Sequence, residues 1–261
     1  MTDGSRFYID GQWVEPVHPG AEIAVVNPAT EEEVARVAAA SSDDVEAAVQ
    51  AAHRAFGSWS QTTREERVEA LTAVREAYKR RIPRIAEAMM TEVGIPRGLA
   101  FGGQVLAGAA HLKVAIDALK SYEFEQDWGT TRIRREPVGV CALLAPWNWP
   151  MNQVACKVGP ALAAGCTMVL KPSQLSPLSA LLFAEAVDEA GIPAGVFNMV
   201  NGAGAALGHA FATHPLVDMV SLTGSSAVGG VVGAAAAPDS KRVSLELGGK
   251  SANIVFADVN V

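Results

Sequence analysis

Five segments of this sequence combine small residues with one or two groups able to do chemistry. They are Ala145-Pro146-Trp147-Asn148-Trp149-Pro150, Lys171-Pro172-Ser173-Gln174, Asn201-Gly202-Ala203-Gly204, Thr223-Gly224-Ser225-Ser226 and Glu246-Leu247-Gly248-Gly249-Lys250. Each follows an apolar run with the length of a strand. Lys171 comes directly after such a run, where a lysine either reaches to solvent or binds a ligand hydroxyl or phosphate. Glu246 ends another run, and a carboxylate there is costly unless paired or functional. It reads equally as a structural group or as a general base. Gly224-Ser225 opens a helix of small residues that includes Val228. A helix start of that kind suits a phosphate, or is an ordinary serine cap. Gly202, Gly204 and Gly208 give G-x-G-x-x-x-G, one residue longer than the dinucleotide fingerprint. A plain glycine-rich turn explains that spacing as well.

These segments need a scaffold that brings them together. Strands are expected over 138–144, 166–170, 195–200, 219–222 and 242–245, with helices over 153–164, 179–189, 205–212 and 226–236. Alternating strands and helices with short links predict a parallel sheet covered on both faces. Right-handed crossovers make it an α/β, Rossmann-like, doubly wound sheet, whose ligands sit beyond the carboxyl ends of the strands. The five segments therefore belong on one rim.

The N-terminal half reads differently. Phe7 to Val14 is a hairpin around Asp10-Gly11, and Ile23 to Val26 is a strand stopped by Asn27-Pro28. From there to about Lys120 the pattern is helical. One helix has Ser42 or Asp43 as its cap and Val45, Ala48, Val49, Ala52 and Phe56 on one face. A second begins at a capping box within 62–66, buries Val68, Leu71, Val74 and Tyr78, and is interrupted by Pro83. A third spans 98–119. Phe124 to Glu136 is polar and alternating, an exposed hairpin or arm. The division expected is 1–120 for the hairpin and helices, 121–137 for the arm, 138–246 for the Rossmann-like part, and 247–261, with 251–256 as a first strand, for a catalytic domain that is largely absent.

Composition narrows the class of function. With 49% apolar and 19% charged residues, the 261-residue chain can fill a real core. A net charge of -7 without a basic patch argues against nucleic acid. The start, Met1-Thr2-Asp3-Gly4-Ser5, is no secretory signal, and the most apolar stretches are too short or too interrupted to span a bilayer, so a cytoplasmic protein without a membrane partner is expected. Three cysteines make no disulfide scaffold.

Taken in order, Pro146-Trp147-Asn148-Trp149-Pro150, Lys171-Pro172-Ser173, Gly202-Ala203-Gly204, Thr223-Gly224-Ser225 and Leu245-Glu246-Leu247-Gly248-Gly249-Lys250 resemble the aldehyde dehydrogenase superfamily. So do Asp10-Gly11-Gln12-Trp13, Val26-Asn27-Pro28-Ala29-Thr30 and Thr91-Glu92-Val93-Gly94-Ile95-Pro96. The resemblance covers nearly the whole chain. It implies NAD(P)-dependent oxidation of an aldehyde to a carboxylic acid. A cysteine thiolate attacks the aldehyde to give a thiohemiacetal, hydride passes to the nicotinamide, and the thioester is hydrolysed. By the same resemblance, Asn148 donates to the developing oxyanion, Glu246 is the general base, Lys171 holds the adenosine ribose, and Gly224 and Ser225 contact the pyrophosphate. Trp147 and Leu247 lie along the cofactor path. Ala145, Gly204, Gly208, Leu222 and Val228 complete the cofactor-binding set. A small-molecule aldehyde and a homo-oligomer, helped by the arm, are the implied partners.

Two departures stand out. Many family members carry a glutamate where this chain has Gln174; its neutrality removes a repulsion and lets the cofactor be NAD or NADP. The family nucleophile lies a few tens of residues beyond the glutamate, whereas residues 247–261 contain no cysteine, and Cys141, Cys156 and Cys166 read as core thiols. The expectation is therefore a fragment of a dehydrogenase, inactive alone. The alternative is a catalytically dead nucleotide-binding or interaction module.

Overall fold

The computed structural model describes residues 4–259, so Met1-Thr2-Asp3 and the last two residues of the expected catalytic part lie outside the described range. A hairpin opens the chain. Asp10 and Gly11 both take positive φ, as a primed two-residue turn requires, and join β1 (Phe7–Ile9) to β2 (Gln12–Val14). β3 (Glu22–Val26) pairs with β4 (Glu33–Ala38) in a separate antiparallel ribbon. Nothing in the expected pattern anticipated β4. Its Glu, Ala and Arg residues favour a helix, but its two valines, cross-strand pairing and the burial of Val37 decide.

Helix α1 (Ser42–Trp59) is capped by Ser41, not by Ser42 or Asp43. The buried Asp44 carboxylate accepts from the Ser41 N–H at 2.8 Å and closes a capping box. Thr63 and Glu66 form the expected box at the start of α2. The interruption at Pro83 does not occur: α2 runs unbroken over Arg64–Val93. A proline inside a helix costs about 3 kcal/mol. Burial on both sides of it, Leu71, Val74 and Tyr78 before and Ile85, Ala86 and Met89 after, outweighs that cost. The next helical stretch is made of α3 (Arg97–Leu99), a π-helical turn (Ala100–Gln104) and α4 (Val105–Ser121). By length and composition, Arg97–Ser121 could cross a membrane. Here it packs against α2 and the later helix over Pro150–Ala164, and the Tyr78 hydroxyl donates to Val105 O at 2.7 Å. The arm is a hairpin of β5 (Glu125–Trp128) and β6 (Thr131–Arg134).

From Val140 strands and helices alternate: β7 (Val140–Leu144), α5 (Pro150–Ala164), β8 (Thr167–Lys171), α6 (Pro177–Glu189), β9 (Phe197–Met199), α7 (Gly204–Thr213), β10 (Met219–Thr223), α8 (Ser226–Ala236) and β11 (Arg242–Glu246). The sheet order is β11-β10-β7-β8-β9-β1-β2. Five strands are parallel, and the N-terminal hairpin extends the far edge in antiparallel pairing. β7 has its sequence successor β8 on one side and β10 on the other. This reversal is where a doubly wound sheet opens a crevice. Both faces are covered. Val140, Ala142 and Leu144 join a core with α1, α7 and α8 residues; Cys141 and Leu143 join a core with α2, α4, α5 and α6 residues.

The strand expected over 251–256 is absent. Ile254, Val255 and Phe256 are exposed coil. A strand needs a neighbour for its N–H and C=O groups, and none lies there among the described residues.

Candidate functional site

The five post-strand segments converge on one rim. Beyond the ladder, Ala145 N–H donates to Lys171 O at 3.1 Å and Gly224 N–H to Glu246 O at 2.9 Å, tying neighbouring strand ends together. They enclose a cavity of about 890 Å³. Ala145, Trp147 and Asn148 line it from the β7 loop, and Lys171 and Gln174 from the β8 loop. Gly204 lines it at the start of α7; Leu222, Gly224, Ser225 and Val228 line it from β10 and α8; Glu246 and Leu247 close it from β11. Gly208 is not in the wall. It is buried in α7, where an added Cβ would meet Val232 and Leu144, so it serves helix packing. Gly202 likewise packs: a Cβ would lie 2.3 Å from Leu207 Cδ1.

Lys171 does not reach to bulk water. It is 5% exposed, and its ammonium donates to Gly202 O at a long 3.4 Å. Burial pulls its pKa down to about 8. Three donors with one weak bond among the described residues leave capacity for hydroxyl ligands, and the missing Cβ of Gly204, which would lie 3.8 Å from Nζ, leaves the approach open. At α8, the Ser225 side chain accepts from Val228 N–H at 3.3 Å, so the serine caps the helix whose first turn faces the cavity. A buried cation, an open helix start and small residues between them fit a dinucleotide with ribose hydroxyls and a pyrophosphate. Leu247 lies over Gly229 of α8, where a Cβ would come within 2.5 Å of Leu247 Cδ2.

Asn148 and Glu246 sit where this cavity meets a second one, on the α5 side of β10 and β11. Glu246 is exposed there. The buried strand end expected for it is not found, because β11 is the sheet edge and has no neighbour beyond it among the described residues. Three groups at this junction escaped the reading of the sequence. Lys157 of α5 is buried and donates to Ser221 Oγ at 2.9 Å; burial lowers its pKa, while Cys156 and Glu246 pull it back up. Its spacing from Val154 and Ala161 places it on the buried stripe of α5, a signal legible in the sequence. Thr223 Oγ1 is buried without a partner among the described residues and faces both cavities. Gln104, in the π-helical turn, donates to Asn148 O at 3.3 Å and braces the loop. No local signal gives that contact, 44 residues away. Cys141 and Cys166 are buried; burial raises the thiol pKa of Cys156, which lines the second cavity.

Comparison with known proteins agrees with this geometry. The chain matches the aldehyde dehydrogenase family over residues 13–261. It is 52% identical to a 3-succinoylsemialdehyde-pyridine dehydrogenase of Pseudomonas sp over 263 residues, covering 100% of this chain and 55% of that protein. Among solved structures, a mutant of aldehyde dehydrogenase C from Pseudomonas syringae, complexed with NAD+ and octanal, superposes with a TM-score of 0.94 at 53% identity. The match covers 98% of this chain and 52% of that one. An aldehyde dehydrogenase from Bartonella henselae gives 0.94 at 42% identity over 100% and 56%. An NADP-dependent enzyme of E. coli gives 0.88 at 36% over 94% and 52%. The chain thus spans about half the length of the relatives it matches. With the doubly wound sheet, the rim of small-residue loops and a family match over 13–261 in agreement, the chain belongs to the aldehyde dehydrogenase family.

Proposed function

We propose that this chain binds NAD or NADP in the rim cavity and presents Asn148 and Glu246 for oxidation of an aldehyde through a cysteine thiohemiacetal. The observation that carries this reading is the junction: an amide and a carboxylate stand where a dinucleotide-sized cavity meets a second cavity. The nicotinamide, when bound, supplies the hydride acceptor. The residues of this chain do the rest. Lys171 and Gln174 receive ribose hydroxyls, and the first turn of α8 receives the pyrophosphate. Asn148 donates its side-chain N–H to the aldehyde oxygen as charge grows, a donor worth about 3 kcal/mol in the transition state. Exposed Glu246 accepts a proton from the attacking thiol or the hydrolytic water.

Residues 247–261 hold no cysteine, so a polypeptide of these 261 residues is expected to bind the dinucleotide without turning over aldehyde. Residues 247–261 belong with the catalytic part, the β5–β6 arm serves homo-oligomer assembly, and the setting is cytoplasmic. Trp128, on the arm and 68% exposed, supports assembly through that surface. Calorimetric titration with NAD+ and NADP+ tests the binding half of the proposal. Saturable binding that Lys171→Met weakens by about tenfold or more is expected, the loss of a charged hydrogen bond being worth about 1.5–3 kcal/mol. Binding unaffected by Lys171→Met would overturn the assignment of the cavity.

A further inference from the structure

The sheet carries a pair of thiols that the proposed chemistry does not use. Cys141 lies in β7, in register with Met168 of β8. Cys166 precedes Met168 by two residues, so the alternation of a strand sends Cys141 and Cys166 to the same face, and both belong to the core on that side. Both also line the second cavity, although only 3% of each residue is exposed.

Cys166 has three unusual features. It stands just outside the β8 ladder: its N–H bonds to Ala161 O at 2.9 Å, and the preceding Gly165 has a left-handed backbone, φ +84°. A guanidinium lies beside it; a Cβ on Gly165 would sit 2.7 Å from Arg67 Cζ. Arg67 is itself buried, and its N–H groups go to the carbonyls of Ser60, Thr62 and Ala163 and to the Thr62 hydroxyl, with no carboxylate bonded among the described residues. A guanidinium with no bonded carboxylate among the described residues therefore lies against the residue that precedes Cys166. Finally, Cys141 and the backbone of Val138 and Gly139 lie next to Cys166. Together with Arg67 they hold the Cys166 thiol below its ordinary range, while Cys141 is pushed above it. Cys166 is thus the more acidic thiol of the pair and Cys141 the less acidic.

We propose that Cys166 and Cys141 form an oxidation site in which a hydroperoxide attacks Cys166 first and Cys141 then closes a disulfide between β7 and the start of β8. In the first step the Cys166 thiolate attacks the peroxide. An S–O bond forms, the O–O bond breaks, and the departing oxygen takes a proton from solvent; the peroxide is reduced and Cys166 becomes a sulfenic acid. In the second step Cys141 attacks that sulfur. The S–S bond forms, the S–O bond breaks, and the hydroxide leaves with the Cys141 proton as water. Closure asks the Gly165–Cys166 segment to move toward β7, which the glycine and the missing ladder bonds permit. Thiols restore the pair.

The test uses the 261-residue protein and hydrogen peroxide. After treatment the protein is denatured, alkylated with N-ethylmaleimide, digested without reductant and mapped by mass spectrometry. A peptide pair joined through Cys141 and Cys166, released by dithiothreitol, with Cys156 still alkylated, is expected. In Cys141→Ser, dimedone should trap Cys166 as the sulfenic acid. The proposal is overturned if Cys156 oxidises before either partner. It is equally overturned if Cys166 passes to the sulfinic acid in the wild type with no linked peptide.

Discussion

Specific side chains in this site owe their properties to what surrounds them. Lys171 is proposed as a ligand for hydroxyls because its strand is fully buried and its amine has one long carbonyl contact. Gln174 is exposed at the same rim and neutral. A carboxylate there would accept from a ribose and repel a 2′-phosphate, so Gln174→Glu is expected to lower the affinity for NADP+ relative to NAD+. Calorimetry with both dinucleotides reads that ratio, and an unchanged ratio removes Gln174 as a selectivity group. Gly139 shows how tightly the sheet is specified at one position. Its φ is +124°, and a Cβ would fall 2.0 Å from Asp218 Oδ2, the oxygen that accepts from Val140 N–H at 2.8 Å. Gly139→Ala should destabilise by about 3 kcal/mol or more, combining backbone strain with a displaced hydrogen-bond acceptor. Urea denaturation of the variant measures this; a loss below 1 kcal/mol, on the order of one ordinary hydrogen bond, would contradict it.

At the scale of elements, α2 is the brace on which the dinucleotide half rests. Arg80, Arg81 and Arg84 pair with Glu185 and Glu189 of α6 on both sides of Pro83. At its far end the Glu92 carboxylate is buried and accepts from Leu178 N–H at 2.6 Å and Ser179 N–H at 3.1 Å, capping α6 from another helix. Burial raises its pKa to about 7, against the pull of those N–H groups. Between the ordinary value near 4.5 and about 7, the folded protein therefore holds a proton that the unfolded chain has released. Stability must fall as pH rises through that window, by up to about 3 kcal/mol from this group. Glu92→Gln should remove that part of the pH dependence. Denaturation at pH 5 and pH 8 tests it: the wild type should lose more stability between the two than the variant, and equal losses would sink the assignment. The segment Thr91 to Pro96 was legible as a family motif, but its capping role was not, because the partner helix starts 85 residues later.

For the whole molecule, the sheet is asymmetric. One edge is closed by the β1–β2 hairpin; the other ends at β11, where Val243, Leu245 and Leu247 are exposed. The exposed run Ile254-Val255-Phe256 follows close by. An open edge and an apolar coil are sites of self-association. Sedimentation velocity should show concentration-dependent association of the 261-residue chain, and Val255→Asp with Phe256→Asp should reduce it. The same association in the doubly substituted protein would move the contact elsewhere, the arm being the next surface to test.

Most signals of short range were legible, the Ser41 cap of α1 being an exception. Asp10-Gly11, the box of Thr63 and Glu66, the arm, and the strand–helix alternation after Val140 are all readable from neighbours in sequence, because turn geometry, capping and periodicity act over a few residues. The order of Asn148, Lys171, Gly224, Ser225 and Glu246 along the chain, together with the rule that ligands collect at strand ends, foretold a single rim. What the sequence could not decide was burial and long-range partnership. Whether Pro83 breaks a helix, whether Glu33–Ala38 becomes a strand, and whether Glu246 is covered depend on which surfaces lie against each segment. So do the turning of Gly208 toward a neighbouring helix, the seating of Lys157 under β10 and the contact of Gln104 with the Asn148 loop. Those outcomes are free-energy balances between local preference and buried area, and the buried area exists only once the chain has folded.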